Sequence, residues 1–211
     1  MIQVKLCGIN DPLNVKAIAE AKPDFMGFIF YSGSPRYVGA APDVALFHNV
    51  PSGIKKIGVF LNEVNYKILE ISLNTGLDMI QLHGEESPES CFQLQSSGLS
   101  IIKSFNIDHS FCFEILKRYL PCCDYFLFDT KSEKRGGSGR KFNWEKLKAY
   151  SLDKPFFLSG GICPEDTSVI KSLSNKGFFA VDINSQFEIS PGIKDAARVS
   201  TFINEIKNDQ I

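Results

Sequence analysis

Cys7 and Asp129 are the residues of this chain whose types and placement point most directly to chemistry. Each closes a short apolar run, Val4-Lys5-Leu6 before the thiol and Tyr125-Phe126-Leu127-Phe128 before the carboxyl. A thiol so placed can be a nucleophile, a general base or a small apolar filler. The nucleophile needs a histidine base, and of His48, His83 and His109 it is His83 that falls at the end of an apolar run. A general base needs a lowered pKa and a carbon acid within reach. Lys5, two residues before Cys7 and so on the same strand face, is the candidate for lowering it. Around Asp129, apolar walls favour the protonated form that a general acid requires. Capping a helix is its competing role, but the next regular segment begins near Phe142, too far along the chain.

Other residues suit a ligand that carries anionic groups. Ser159-Gly160-Gly161 before Pro164 lets backbone amides approach a phosphate at a helix start, and Asp182, Asn184 and Ser185, with Pro191-Gly192 beyond, offer a facing wall. The polar stretch from Thr130 to Lys141 includes Gly136, Gly137 and Gly139, whose amides can form an anion nest in a loop that folds over a ligand. Ser34-Pro35-Arg36 presents a guanidinium that can clamp a carboxylate with two parallel hydrogen bonds. A solvated surface arginine is the plainer alternative.

These residues need a scaffold, and the chain repeats one. Apolar runs recur at 4–6, 25–30, 56–61, 78–82, 101–104, 125–128, 156–159 and 178–183. They are continuous rather than alternating, as parallel strands covered on both faces should be. Between them come helix signals. Asp11-Pro12, Ser87-Pro88 and Pro164-Glu165-Asp166 are start signals, and apolar sets at 68, 69 and 73, at 112, 115, 116 and 119, and at 199, 202, 203 and 206 supply helix faces. Eight strand–helix units in 211 residues point to an α/β fold in which a single (β/α)8 barrel domain spans residues 1–211. A doubly wound sheet is the minority alternative. In such a barrel the active site lies where the strands end, which is where every residue named above falls.

Composition narrows the partners. Lys plus Arg is 23 against 24 Asp plus Glu, a net charge of -1, so no basic field exists to gather nucleic acid. The N-terminus lacks a signal-peptide pattern, and no apolar run nears the ~18 residues of a membrane span. These features point to a soluble, cytoplasmic protein. The six cysteines include no C-x-x-C pair, which argues against zinc or thioredoxin-like redox chemistry and for buried thiols at Cys91 and Cys112. Vicinal Cys122-Cys123 carries no functional reading.

Taken in order, Lys5-Leu6-Cys7-Gly8-Ile9, Gly27-Phe28-Ile29-Phe30 with Ser34-Pro35-Arg36, Gly58-Val59-Phe60-Leu61-Asn62, Gln81-Leu82-His83-Gly84, Phe128-Asp129-Thr130, Gly136-Gly137-Ser138-Gly139, Ser159-Gly160-Gly161 and Pro191-Gly192-Ile193-Lys194-Asp195 resemble the motifs of phosphoribosylanthranilate isomerases. The resemblance covers essentially the whole chain. It implies an Amadori rearrangement of N-(5-phosphoribosyl)anthranilate in tryptophan biosynthesis, with no cofactor and no metal. It also implies Asp129 as general acid and Cys7 as general base. Arg36 would meet the anthranilate carboxylate, and His83, Gly139, Gly160, Gly161, Asp182, Asn184 and Ser185 would contact the rest of a small phosphorylated substrate. Neither nucleic acid nor membrane is an expected partner, and both monomer and dimer stay open. Two departures stand out: Gln186 where the family usually has glycine, and Asn143 where it usually has aspartate. Another phosphosugar isomerase or synthase of amino-acid biosynthesis, or a barrel that binds a phosphorylated ligand without acting on it, are the alternatives.

Overall fold

The computed structural model describes residues 1–130 and 141–208. Eight parallel strands close into a barrel in chain order: β1 Gln3–Cys7, β2 Phe25–Ile29, β3 Lys55–Phe60, β4 Met79–Leu82, β5 Ser100–Ile107, β6 Tyr125–Thr130, β7 Phe156–Leu158 and β8 Phe178–Ile183. All eight apolar runs are strands. The ring shuts where β1 pairs with β8, with Lys5 level with Asp182.

Two apolar clusters explain why the runs are continuous. Residues pointing inward fill the lumen, among them Phe25, Ile57, Met79, Ile102, Leu127, Phe157 and Ala180. Those pointing outward, such as Phe28, Phe60, Phe126, Phe128 and Phe156, pack beneath the helices. With both faces covered, alternation of apolar and polar residues has no role. The inward set turns polar toward the strand ends: Lys5 and Cys7, Gln81 and His83, Asp129, Asp182. Period-two geometry therefore sends every second residue at the top of each strand into one mouth.

Helical turns begin at each of the three start signals, Asp11-Pro12, Ser87-Pro88 and Pro164-Glu165-Asp166. Asn14 N–H donates to Asp11 Oδ1 at 2.7 Å, opening α1 (Pro12–Ala19). After the short α2 (Ala45–His48) and then α3 (Asn65–Thr75), Ser87 caps α4 (Pro88–Ser96). A 3-10 turn at Pro164–Asp166 leads into α5 (Thr167–Ser172), and Asp195 caps α6 (Ala196–Lys207), which buries Val199, Phe202, Ile203 and Ile206. Several other outer segments bury a narrower stripe than their apolar spacing suggests. Cys91, Leu94, Leu116 and Ile170 are buried, whereas Phe92, Ile115, Val169 and Leu73 face solvent.

The segment around 112–119 also departs from expectation. It is a 3-10 helix, Phe113–Tyr119, as is Trp144–Ala149 after β6. Cys112 is exposed rather than buried, because it stands at the cap ahead of the first of these turns. Cys91, Cys122 and Cys123 do pack together, with sulfurs within 4.8 Å of one another. Beyond β8, the strands β9 (Glu188–Ser190) and β10 (Ile193–Lys194) form a small hairpin around Pro191-Gly192. Among the described residues no helix is long and apolar enough to cross a membrane.

Candidate active site

A cavity at the C-terminal ends of the strands is lined by Cys7, His83, Asp129, Gly160, Gly161, Asp182, Asn184 and Ser185 together. Eight of the ten residues singled out in the sequence thus share one cleft. Arg36 stands beside it and Gly139 lies outside the described residues, as does most of the loop expected to fold over a ligand.

Cys7 ends β1 just before Gly8, whose φ of +77° is a left-handed conformation that favours glycine. A Cβ on Gly8 would also stand 2.6 Å from Arg36 Cδ. Gly8 therefore turns the chain sharply after the thiol and lets the arginine stem lie against it. The thiol is 5% exposed. Burial pushes its pKa above the ordinary 9.0, Lys5 and Lys194 pull against this, and Asp182 adds to it. The expectation of a lowered thiol pKa is corrected: desolvation outweighs the nearby ammonium groups.

Lys5 has other partners besides the thiol. Its ammonium donates to Asp182 Oδ2 at 2.9 Å and to Gln81 Oε1. Burial works to lower the Lys5 pKa, but Asp182 and Cys7 together outweigh it and raise it above the ordinary 10.5. Asp182 is itself almost buried, and its Oδ1 has no hydrogen-bond partner among the described residues. That places Asp182 inside the barrel on Lys5, with one oxygen free beside the cavity.

Asp129 is in a more open setting at the end of β6, where 18% of its side chain is exposed. Thr130 N–H donates to its Oδ1 at 2.7 Å, and His83 Nε2 lies 3.4 Å from its Oδ2. His83 thus faces the carboxyl, which disfavours a Cys7–His83 nucleophile pair. Gly160, with φ +93°, closes β7 against this corner: a Cβ there would fall 2.3 Å from Thr130 Oγ1 and 2.9 Å from Asp129 Oδ1. The helix following the loop is capped by Asn143, whose Oδ1 accepts from Glu145 N–H, so Asp129 is not a cap.

Arg36 is not a solvated surface residue. Its Nε and Nη2 donate to Glu188 Oε1 and Oε2 at 2.8 and 2.6 Å, a two-pronged pair. Lys194, 1% exposed, donates to the same Glu188 at 2.7 Å and to Asn184 Oδ1 at 2.6 Å. Two cations thus share one carboxylate, leaving a net positive cluster beside the mouth. Burial works against ionised Glu188, but the hydrogen bond from Arg36 and the charge of Lys194 hold it below its ordinary 4.5.

Likeness to known proteins agrees with this arrangement. Residues 4–205 match the family model of N-(5'phosphoribosyl)anthranilate (PRA) isomerase. The N-(5'-phosphoribosyl)anthranilate isomerase of Phocaeicola vulgatus is 43% identical over 204 residues, 97% of each chain. The chain belongs to the N-(5'-phosphoribosyl)anthranilate isomerase family. Among solved isomerases of this name, that of Thermotoga maritima superposes with a TM-score of 0.87 at 33% identity, covering 98% of this chain and 99% of that one. Another, at 31% identity and a TM-score of 0.83, covers 98% of this chain and 99% of its own and was solved with reduced 1-(o-carboxyphenylamino)-1-deoxyribulose 5-phosphate. As a member of this isomerase family the chain is an enzyme of tryptophan biosynthesis.

Three residues of this isomerase site had no role assigned from the sequence, although Gln81 and Lys194 stand in motifs that carry the resemblance. Gln81 lines the cavity and touches both Lys5 and His83. Period-two spacing with His83 was the available signal. Lys194 had its place in the 191–195 motif as a signal, whereas Glu188 had none, since it lies 152 residues from Arg36. Gln186, the departure in the last loop, accepts a hydrogen bond from Arg198 Nη1 at its carbonyl at 2.9 Å and sits in a 3-10 turn, Ser185–Phe187.

Proposed function

We propose that this barrel converts N-(5-phosphoribosyl)anthranilate to 1-(2-carboxyphenylamino)-1-deoxyribulose 5-phosphate with Asp129 as general acid and Cys7 as general base. Asp129 gives its proton to the ribose ring oxygen, the C1–O bond breaks, and the anthranilate nitrogen is left as an iminium. The iminium acidifies the C2 hydrogen, which Cys7 removes as the thiolate. The resulting enolamine tautomerises to the ketone. No net proton is consumed, because the proton gained at the ring oxygen is matched by the one lost from C2.

The observation that carries this reading is that one cleft holds a buried thiol on β1 and a partly exposed carboxyl on β6, three strands round the ring. An acid must reach the substrate oxygen, and a base for a carbon acid profits from a site that excludes water. Gly160 and Gly161 at the end of β7, with Asn184 and Ser185 after β8, are the phosphate end, where barrels of this architecture often hold phosphate. The net positive Arg36–Glu188–Lys194 cluster suits the anthranilate carboxylate, which Arg36 meets with its remaining N–H donors.

The test is a direct assay with freshly generated phosphoribosylanthranilate, followed by the change in anthranilate fluorescence, with rescue of a tryptophan auxotroph as the second readout. Turnover by the wild type and none by a Cys7→Ser, Asp129→Asn double variant is expected. Turnover by the double variant would overturn the assignment.

A further inference from the structure

The row of polar side chains beneath the mouth has a direction. A protonated lysine has donors and no acceptor, so Gln81 must turn its oxygen toward Lys5. Its NH2 group is thereby sent the other way, to His83 Nδ1 at 2.9 Å. An amide NH2 can only donate there, so Nδ1 must be the unprotonated, accepting nitrogen. The ring proton is left on Nε2, the atom 3.4 Å from Asp129 Oδ2. Ser104 Oγ, 3.0 Å from the same Nδ1, fits this tautomer as a second donor. A doubly protonated ring would set Nδ1–H against the amide hydrogens.

We propose that Gln81 is a positioning residue: anchored by Lys5, it fixes His83 as the neutral Nε2–H tautomer and so aims an N–H at Asp129. This rests on Asp129 being the acid. The consequence follows from how charge changes during the reaction. Before proton transfer the carboxylic acid gains little from that N–H, and 3.4 Å is long for a hydrogen bond. As the proton leaves, the growing carboxylate draws the N–H in, and a charge-assisted bond forms. An interaction that strengthens toward the transition state raises kcat rather than tightening substrate binding.

The experiment begins on wild-type protein labelled with 15N-histidine, at neutral pH and without ligand. The chain has three histidines, so a His83→Asn variant assigns the signal. His83 is expected to show a protonated Nε2 and a bare Nδ1, and an Nδ1–H tautomer or an imidazolium would overturn the proposal. In Gln81→Glu the new carboxylate accepts from both Lys5 and His83, so the ring proton should move to Nδ1. There kcat should fall ~10- to 100-fold, the scale of one hydrogen bond to a charged group, with KM little changed. A switched tautomer with unchanged kcat would overturn the proposal as well. Asp129→Asn, assayed alongside, separates the failures: if it turns over like the wild type, the acid assignment is wrong whatever the tautomer. The wild-type spectrum needs no variant to fold.

Discussion

Around Cys7 the barrel packs charge where water does not reach. Lys5 and Lys194 are 0% and 1% exposed and the thiol 5%, and Asp182 lies against the first of these lysines. Around Asp129 the same cavity keeps 18% of the carboxyl side chain exposed, and among the described residues its direct partners are one backbone N–H and one imidazole. The difference teaches that the two ends are adapted to opposite demands. A buried ion pair is costly unless both charges stay matched, so the thiol's surroundings are rigid and tied to stability. An acid that must meet substrate sits where little else depends on it.

The largest expected effect comes from removing the reacting groups. Cys7→Ser and Asp129→Asn should each lower kcat by ~10²- to 10⁴-fold or more while product-analogue binding persists, as steady-state rates and calorimetry would show. Near-wild-type turnover in either variant would break its half of the comparison. Stability should then separate the two ends. Lys5→Met leaves Asp182 buried without a counter-ion and should cost ~3–5 kcal/mol in denaturant unfolding. Asp129→Asn should stay within ~1 kcal/mol of the wild type in the same measurement. Equal losses would mean that the two ends are built alike.

A pH titration sharpens the contrast further. The thiol must lose its proton to act, and burial holds its pKa above 9.0. Because turnover needs the thiolate together with protonated Asp129, the free-enzyme kcat/KM should hold level and fall on the alkaline side only beyond the raised thiol pKa, and Cys7→Ser should lose that break; a break below 9.0 would show that burial does not hold the thiol up. The smallest effect concerns Glu188, which is held below its ordinary 4.5. A depressed carboxylate adds stability above its unfolded pKa and loses it as pH falls through the folded value. Thermal unfolding should thus show an acid loss below that ordinary value, of ~1 kcal/mol, that Glu188→Gln lacks.

Much of this was readable in the sequence, for reasons that differ between residues. The eight strands show because strands covered on both faces must be apolar throughout, and the caps at Asp11 and Ser87 show because they act within one turn. Cys7 and Asp129 stood out because each ends such a run. The 3-10 helix Phe113–Tyr119 was not separable from an α-helix, since apolar residues at 112, 115, 116 and 119 suit a period of 3.0 as well as 3.6. Its neighbours Phe105, Phe111 and Phe128 settle its packing from outside the segment. The Glu188 clamp on Arg36 and the raised thiol pKa were not legible either, because both are products of burial and of partners far away in the chain.

The seam between β1 and β8 also sets an order of events during synthesis. Gln81, His83, Ser104, Asp129 and Thr130 all lie on or just after three neighbouring strands, β4 to β6, and leave the ribosome within one stretch of chain. Lys5 and Asp182 are 177 residues apart. Until β8 emerges, Lys5 has no counter-ion, and an ammonium without one resists burial inside a closed lumen. The unpaired Lys5 ammonium should thereby keep the unfinished barrel open, so that ring closure waits for the last strand. A chain truncated before Phe178 should leave β1 open to protease while β4 to β6 are protected, and a protected β1 would show that the ring closes without its lock.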